Sequence, residues 1–137
     1  MKSRLKVYCS ISNLSQIRDF VRSNLRGMEI NMRIMEQVVL AVDEACANAI
    51  IHQHQCDGCS HIEITLYRSE EQLFVELKDV GNAFPIDTFE PQTNEERIQT
   101  HSKGGMGVLL IRSIMDSIQV VQKQDYYVFK FIKNLPS

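Results

Sequence analysis

Several features that would direct this chain to a membrane, to secretion or to a nucleic acid are missing from its sequence. No apolar run approaches the roughly 18 residues that a membrane-spanning helix needs, and the N-terminal MKSRLKVY lacks the apolar core of a secretory signal. The net charge is −2 and the basic residues form no cluster. Nucleic-acid binding needs Lys and Arg concentrated on one face. We therefore expect a cytoplasmic protein that does not bind nucleic acid.

Length and composition indicate one globular domain. The chain has 137 residues, of which 44% are hydrophobic and 23% are charged. That is enough chain for one real core and an ordinary balance for a globular protein. No repeat, linker or change of composition divides the sequence. We expect a single domain over residues 1–137.

The segment VDEACANAIIH, from Val42 to His52, combines an apolar helix pattern with regularly spaced polar residues. Glu44, Asn48 and His52 are each four residues apart, which puts them in one row on a helix. A carboxylate and a carboxamide in apolar surroundings must find polar partners. A magnesium ion with a nucleotide would satisfy both; the alternative is an exposed polar stripe at the edge of the core.

Two further motifs follow in order along the chain. The alternating run LFVELK at 73–78 predicts a strand, and DVGNAF at 79–84 follows it directly. Later, KGGMG at 103–107 precedes an apolar helical run. Glycines that open a helix leave its first backbone N–H groups uncovered, so phosphate oxygens can approach closely. Each motif alone is weak, but the three in this order favour nucleotide binding.

The order E-x-x-x-N-x-x-x-H, D-x-G-x-x-F, G-G-x-G is similar to that of the histidine-kinase-like ATPase superfamily. The short chain and the phrase LAVDEACANA look most like its anti-sigma-factor serine/threonine kinases. The resemblance covers roughly residues 5–133. It implies an α+β fold of the Bergerat type, a two-layer sandwich with a mixed sheet and helices on one face. One position departs from the pattern, because Ala83 stands where a second glycine is usual.

The resemblance implies ATP and Mg²⁺ as cofactors. Asn48 matches the magnesium-binding asparagine of the family, and Glu44, one turn earlier, can act as the general base for an attacking serine. Asp79 is expected to accept a hydrogen bond from the adenine amine; the alternative is that its side chain stabilises a turn. The expected nucleotide-binding set is Asn48, Asp79, Gly81, Lys103, Gly104, Gly105, Met106 and Gly107.

The function implied by the resemblance is a serine/threonine protein kinase that is also an anti-sigma factor in a partner-switching system. Its partners would be an anti-sigma antagonist protein, which it phosphorylates, a sigma factor and a second copy of the chain. A non-catalytic nucleotide-binding switch and a regulator of a non-sigma target are the alternatives. Glu44 favours the kinase, because a non-catalytic binder has no need of a base at that position.

The four cysteines fall into two groups. Cys9 and Cys46 lie in apolar patterns and are expected in the core. Cys56 and Cys59 form a C-x-x-C flanked by histidines, whose residue types suit zinc. No second pair of such ligands occurs in the sequence, and Asp57-Gly58 between the cysteines is typical of a turn, so we expect a turn without a required metal. Zinc binding and a redox-labile dithiol are the alternatives.

The predicted order of elements is β-α-α-β-β-lid-α-β-β. Asn13 or Ser12 can cap the first helix, which ends at Gly27, and Asn31 can cap the second. The remaining predicted elements are strands at 4–10, 61–68, 72–79, 117–122 and 126–132, a lid at 85–103 and a helix at 107–116.

Overall fold

The computed structural model describes residues 2–53, 61–80, 104–122 and 126–136. Several sequence predictions concern residues outside these ranges: Gly81, Ala83, the lid at 85–103, Lys103, and the pair Cys56 and Cys59. Side chains are described for 2–50, 61–79, 109–121 and 126–136.

The described strands form one five-stranded sheet. They are β1 (Ser3–Tyr8), β2 (His61–Arg68), β3 (Gln72–Val80), β4 (Ser117–Gln122) and β5 (Tyr126–Asn134). Their order across the sheet is β1-β2-β3-β5-β4. Strands β2 and β3 join through a short hairpin, where the Ser69 N–H donates to the Gln72 carbonyl at 2.9 Å.

The expectation of a mixed sheet was wrong, because every described strand pairing is antiparallel. The order of strands gives the physical reason. Strand β4 runs parallel to β3, as a crossover through a helix favours, but the two are not neighbours. The β4–β5 hairpin folds β5 back between them, so each ladder is antiparallel. The two-layer α+β sandwich itself is confirmed.

Alternation along the strands creates an inner and an outer face. In β3 the side chains of Leu73, Val75 and Leu77 are buried, and the residues between them are only half-buried. The inner side chains of all three central strands join the helices in one apolar core. The outer side chains alternate with them and carry most of the polar groups of the sheet.

Within the described ranges, the second layer contains the α-helices α1 (Leu14–Gly27), α2 (Met32–Ala47) and α3 (Gly104–Ile114). The apolar stripe of α1 buries Ile17, Val21 and Leu25. Helix α2 begins where predicted, because Asn31 Oδ1 accepts a hydrogen bond from the Ile34 N–H at 3.1 Å. It packs against both α1 and α3 and is therefore the central helix of the layer.

Two helix boundaries differ from the predictions. Helix α3 begins at Gly104, about three residues earlier than expected, so the glycines form its first turn instead of a preceding loop. Helix α2 changes into a π-helical turn at Asn48–Gln53. Within the described part of the chain, no helix has the length and apolar character to cross a membrane.

Candidate nucleotide site

The C-terminal end of α2 carries the two polar residues on which the site prediction rests. Glu44 is half-buried and Asn48 is buried, with only 5% of its surface exposed. The Asn48 N–H donates to the carbonyl oxygens of Glu44 and Ala45, so the two side chains are one helical turn apart. The predicted pairing of a carboxylate and a carboxamide on one side of the helix is therefore present.

The helix widens directly after this pair. Residues Asn48–Gln53 form a π-helical turn, a rare geometry that is frequent at functional sites. This turn packs against α3. The sequence predicted one row of Glu44, Asn48 and His52 on an α-helix, but the backbone from Asn48 onward is π-helical. The His52 side chain lies outside those described.

The Asn48 side chain has an unsatisfied polar atom. Its Nδ2 is buried and has no hydrogen-bond partner among the described residues. A buried amide group without a partner costs free energy, on the order of 1–3 kcal/mol. A rotation of 180° exchanges Nδ2 and Oδ1 at this place. The carboxamide can therefore offer either a donor to a phosphate or an oxygen to a metal ion.

Asp79 lies on the inner face of the sheet, at the end of β3, and is fully buried. It pairs across the ladders with Ile62 and Tyr127. Burial raises the pKa of the nearby Cys46 thiol far above its usual value, and the charges of Asp43, Cys9 and Asp79 raise it further. The buried Asp79 carboxylate thus lies within electrostatic reach of Cys46 in α2, and Cys46 comes two residues before Asn48 in the sequence.

The start of α3 supplies backbone donors. The N–H groups of Gly104, Gly105 and Met106 lie in the first turn of the helix and have no intrahelical acceptor. The helix dipole adds partial positive charge at the same end. Gly107 completes the turn, and α3 packs against both α2 and the π-helical turn. The glycine-rich segment therefore starts a helix that packs against α2 and against the π-helical turn that begins at Asn48.

An ion pair that the sequence did not predict lies beside Glu44. Arg18 of α1 donates from Nη1 to Asp43 Oδ1 at 2.9 Å. Asp43 has no special spacing in the sequence, and Arg18 precedes it by 25 positions. A single sequence contains no signal that would pair them.

Two predicted site residues, Glu44 and Asn48, lie one turn apart in α2, and a third, Asp79, lies within electrostatic reach of Cys46 on the same helix. The fold adds the backbone of Gly104, Gly105, Met106 and Gly107, whereas Gly81 and Lys103 lie outside the described residues. A separate open groove of about 870 Å³ lies between the end of α1 and the β2–β3 hairpin. It contains none of the predicted site residues, so we do not associate it with the nucleotide chemistry.

This arrangement is a two-layer sandwich in which a glycine-rich helix start packs beside a central helix, and the buried end of a strand lies within electrostatic reach of that helix. Comparison with known proteins gives the same class. The histidine kinase-like ATPase domain matches residues 10–131. Since that match covers most of the sequence, the chain belongs to the histidine kinase-like ATPase domain family.

Two proteins similar to this chain have names more specific than that of the family. The chain is 31% identical to the serine-protein kinase RsbW of Bacillus subtilis over 108 residues, which are 73% of this chain and 68% of that protein. It is 25% identical to an anti-sigma F factor of Clostridium perfringens over 132 residues, 90% of this chain and 89% of that protein.

A solved structure supports the fold. The RsbU and RsbW domains of a Mycobacterium tuberculosis protein match with a TM-score of 0.70 at 11% identity. The match covers 98% of this chain and 32% of the other.

Proposed function

We propose that this chain is an ATP-dependent serine/threonine protein kinase and anti-sigma factor of a partner-switching system, with an anti-sigma antagonist protein as its substrate. The observation that carries the proposal is the buried Asn48 carboxamide one turn after Glu44, with Nδ2 unpartnered among the described residues. Family membership and the kinase and anti-sigma names of the relatives support it.

Asn48 fits a role in holding Mg²⁺ with ATP. Magnesium takes few protein ligands and completes its octahedron with waters and phosphate oxygens, so one amide oxygen is adequate. When bound, the ion neutralises charge on the phosphates. The unsatisfied amide provides the position for such a ligand without breaking a hydrogen bond among the described residues.

Glu44 is the proposed general base. The serine or threonine hydroxyl oxygen forms a bond to the γ-phosphorus, the bond from that phosphorus to the bridging oxygen breaks, and ADP leaves. The hydroxyl proton passes to the Glu44 carboxylate. Glu44 is only half-buried, so an incoming hydroxyl has access to it, whereas Asn48 behind it is enclosed.

The phosphates and the adenine of ATP would occupy the two remaining parts of the site. The N–H groups at the start of α3 would bind phosphate oxygens, and we assign Lys103 to the same end as an added positive charge. Asp79 would accept a hydrogen bond from the adenine N6 amine, and Gly81, two positions later in the sequence, would leave room for the adenine. Guanine presents an acceptor, O6, at that position, so its binding would leave two acceptors facing each other.

The proposal includes three partners: the antagonist protein, a sigma factor, and a second copy of the chain. ATP and Mg²⁺ are supplied in the cytoplasm, and we place the reaction there. The lid at 85–103 lies between the nucleotide motifs in sequence, and we propose that ATP and ADP order it differently. The affinity for the antagonist would then depend on the nucleotide.

The test is incubation of the chain with γ-labelled ATP and candidate antagonist proteins from the same genome. We expect label on a serine or threonine of one antagonist, and loss of that label with Glu44→Gln. Magnesium-dependent ATP binding without transfer to any antagonist would favour the non-catalytic switch. No ATP binding at all would contradict both readings.

A further inference from the structure

The outer face of the sheet, on the side away from the helices, is basic although the chain as a whole is acidic. Among the residues whose side chains are described, the charged ones on this face are Lys2, Arg4, Lys6, Lys78 and Lys130 against Glu63 and Glu76. The net charge of the whole chain is −2. The excess of five basic over two acidic groups therefore belongs to this face, and acidic residues dominate elsewhere.

The strand register places these charges in two rows across the sheet. One row runs from Lys6 through Glu63 to Lys78. The next runs from Arg4 through Thr65 and Glu76 to Lys130. The sequence does not show the cluster, because its members come from four strands and meet only through the ladder pairing.

Aromatic rings hold the lysines in place without neutralising them. Tyr67 and Phe74 stack with centroids 4.8 Å apart and an angle of 9° between the rings. The Lys2 ammonium lies 4.8 Å from the Tyr67 centroid, and that of Lys130 lies 5.1 Å from the Phe74 centroid. Cation–π contact orients an ammonium group but leaves its positive charge available to an anion.

The two carboxylates on this face, Glu63 and Glu76, offset two of its five positive charges and leave an excess of three. The Glu76 carboxylate accepts a hydrogen bond from the Tyr67 hydroxyl at 2.6 Å. Among the described residues, the ion pairs join helical side chains and none lies on the outer face. Arg4 and Lys6 are exposed on the edge strand β1. The face therefore keeps a positive potential toward solvent.

We propose that the outer face of the sheet docks an acidic segment of a partner polypeptide. Charge complementarity carries the choice of occupant, since a second copy would bring five basic groups against five others. A nucleic acid fits less well, because the stacked Tyr67 and Phe74 rings already cover each other and the lysines lie over them, which hinders base stacking.

This proposal does not rest on the kinase assignment. The outer face and the nucleotide site lie on opposite sides of the sheet, since Asp79 and α2 belong to the inner side. A docked acidic segment would leave the predicted ATP site open. Binding at the outer face and ATP binding can therefore be measured separately in the same protein.

The test compares two double variants that change the net charge equally. Arg4→Glu with Lys6→Glu alters the outer face, and Arg26→Glu with Arg33→Glu alters exposed positions of the helix layer. The probe is a fluorescent poly-L-glutamate of about 20 residues at about 50 mM salt, where charge contacts act over a longer range. We expect the outer-face variant to weaken binding by about tenfold or more and the control by less than about twofold.

Backbone amide shifts should locate the probe on β1, β2, β3 and β5. Unchanged far-ultraviolet circular dichroism and an unchanged dispersion of the backbone amide signals would show that the variants are folded. Equal losses in the two variants, or shifts confined to the helix layer, would overturn the proposal. Tighter binding of oligouridylate of equal charge would assign the face to nucleic acid instead. Self-association in sedimentation that Arg4→Glu with Lys6→Glu abolishes would assign it to a second copy.

Discussion

The Arg18 guanidinium donates to the Asp43 carboxylate at 2.9 Å, so helix α1 holds α2 at the residue directly before Glu44. The two side chains are 38% and 23% exposed. A second ion pair between the same helices, Arg22 with Glu36 at 3.1 Å, is more exposed on its acidic side. Helices α1 and α2 are therefore joined by one partly enclosed ion pair, Arg18–Asp43, and by a second, Arg22–Glu36, whose carboxylate is more exposed.

We predict that the Arg18–Asp43 pair contributes more to stability than the Arg22–Glu36 pair. Alanine double-mutant cycles in urea unfolding should give coupling free energies of about 1 kcal/mol for the first and about 0.3 kcal/mol for the second. Raising the salt to about 0.5 M should remove most of the second and less of the first. Equal coupling free energies and equal salt sensitivity for the two pairs would contradict the prediction that the Arg18–Asp43 pair contributes more to stability.

The second prediction concerns Glu44. Glu44→Gln keeps the shape of the side chain but cannot take a proton, so phosphoryl transfer should fall by about 100-fold or more. ATP affinity should stay within a few-fold, because the base acts in the transfer step. Glu36→Gln, on the exposed side of the same helix, is the matched control and should leave transfer intact. Unchanged phosphoryl transfer in Glu44→Gln would rule out Glu44 as the general base.

Asn48 gives a prediction in which binding and stability separate. Asn48→Ala removes the proposed magnesium ligand, so magnesium-dependent ATP affinity should drop by about tenfold or more. The unfolding free energy without nucleotide should change by less than about 1 kcal/mol, because the buried Nδ2 makes no hydrogen bond with the described residues. Isothermal calorimetry with and without Mg²⁺, beside urea unfolding, measures both. A large stability loss with intact magnesium dependence would make Asn48 a structural residue.

Asp79 should control the choice between purine bases. Asp79→Asn keeps the size of the side chain but adds a donor, so ATP affinity should fall and the preference for ATP over GTP should shrink. Competition of both nucleotides against a fluorescent ATP analogue measures the ratio. If the variant binds ATP as the parent does and still excludes GTP, the adenine pocket lies elsewhere.

Tyr67 links stability to alkaline pH. Burial, with the hydrogen bond and charge of Glu76, raises the pKa of Tyr67 to about 12, above the usual tyrosine value of about 10. The folded state thus binds this proton more tightly than the unfolded state, and the contribution is complete below pH 10 and is lost toward pH 12. The unfolding free energy of the parent should fall more steeply over that interval than that of Tyr67→Phe. Parallel curves in urea unfolding at pH 9, 10 and 11 would contradict this linkage.

Local patterns predicted the elements well because local physics determines them. Asn31 caps α2 with its own side chain, and the alternation of Leu73, Val75 and Leu77 defines the inner face of β3. Asp79 continues that alternation, so its placement at the inner end of the strand was also available from sequence. The three-motif order then led to the family.

Features that depend on distant parts of the chain could not be predicted in this way. Arg18 and Asp43 pair through helix packing, and the basic outer face exists only because Lys6 and Lys78 are aligned by the ladders. The mixed sheet was expected as part of the fold that the resemblance implied, whereas the insertion of β5 between β3 and β4 depends on tertiary packing. The π-helical turn at Asn48 has no composition signal of its own.

The insertion of β5 beside β3 has a consequence for how freely the chain can vary in length. The pair Val80 and Tyr126 closes the whole interval 81–125, which contains Gly81, the lid and the glycine-rich start of α3. The entropy of closing such an interval grows only logarithmically, by about 0.6 kcal/mol for each doubling of its length. Additions or deletions within residues 85–103 therefore cost the fold little, and the segment that we propose to meet nucleotide and partners can change in size while the sheet stays the same.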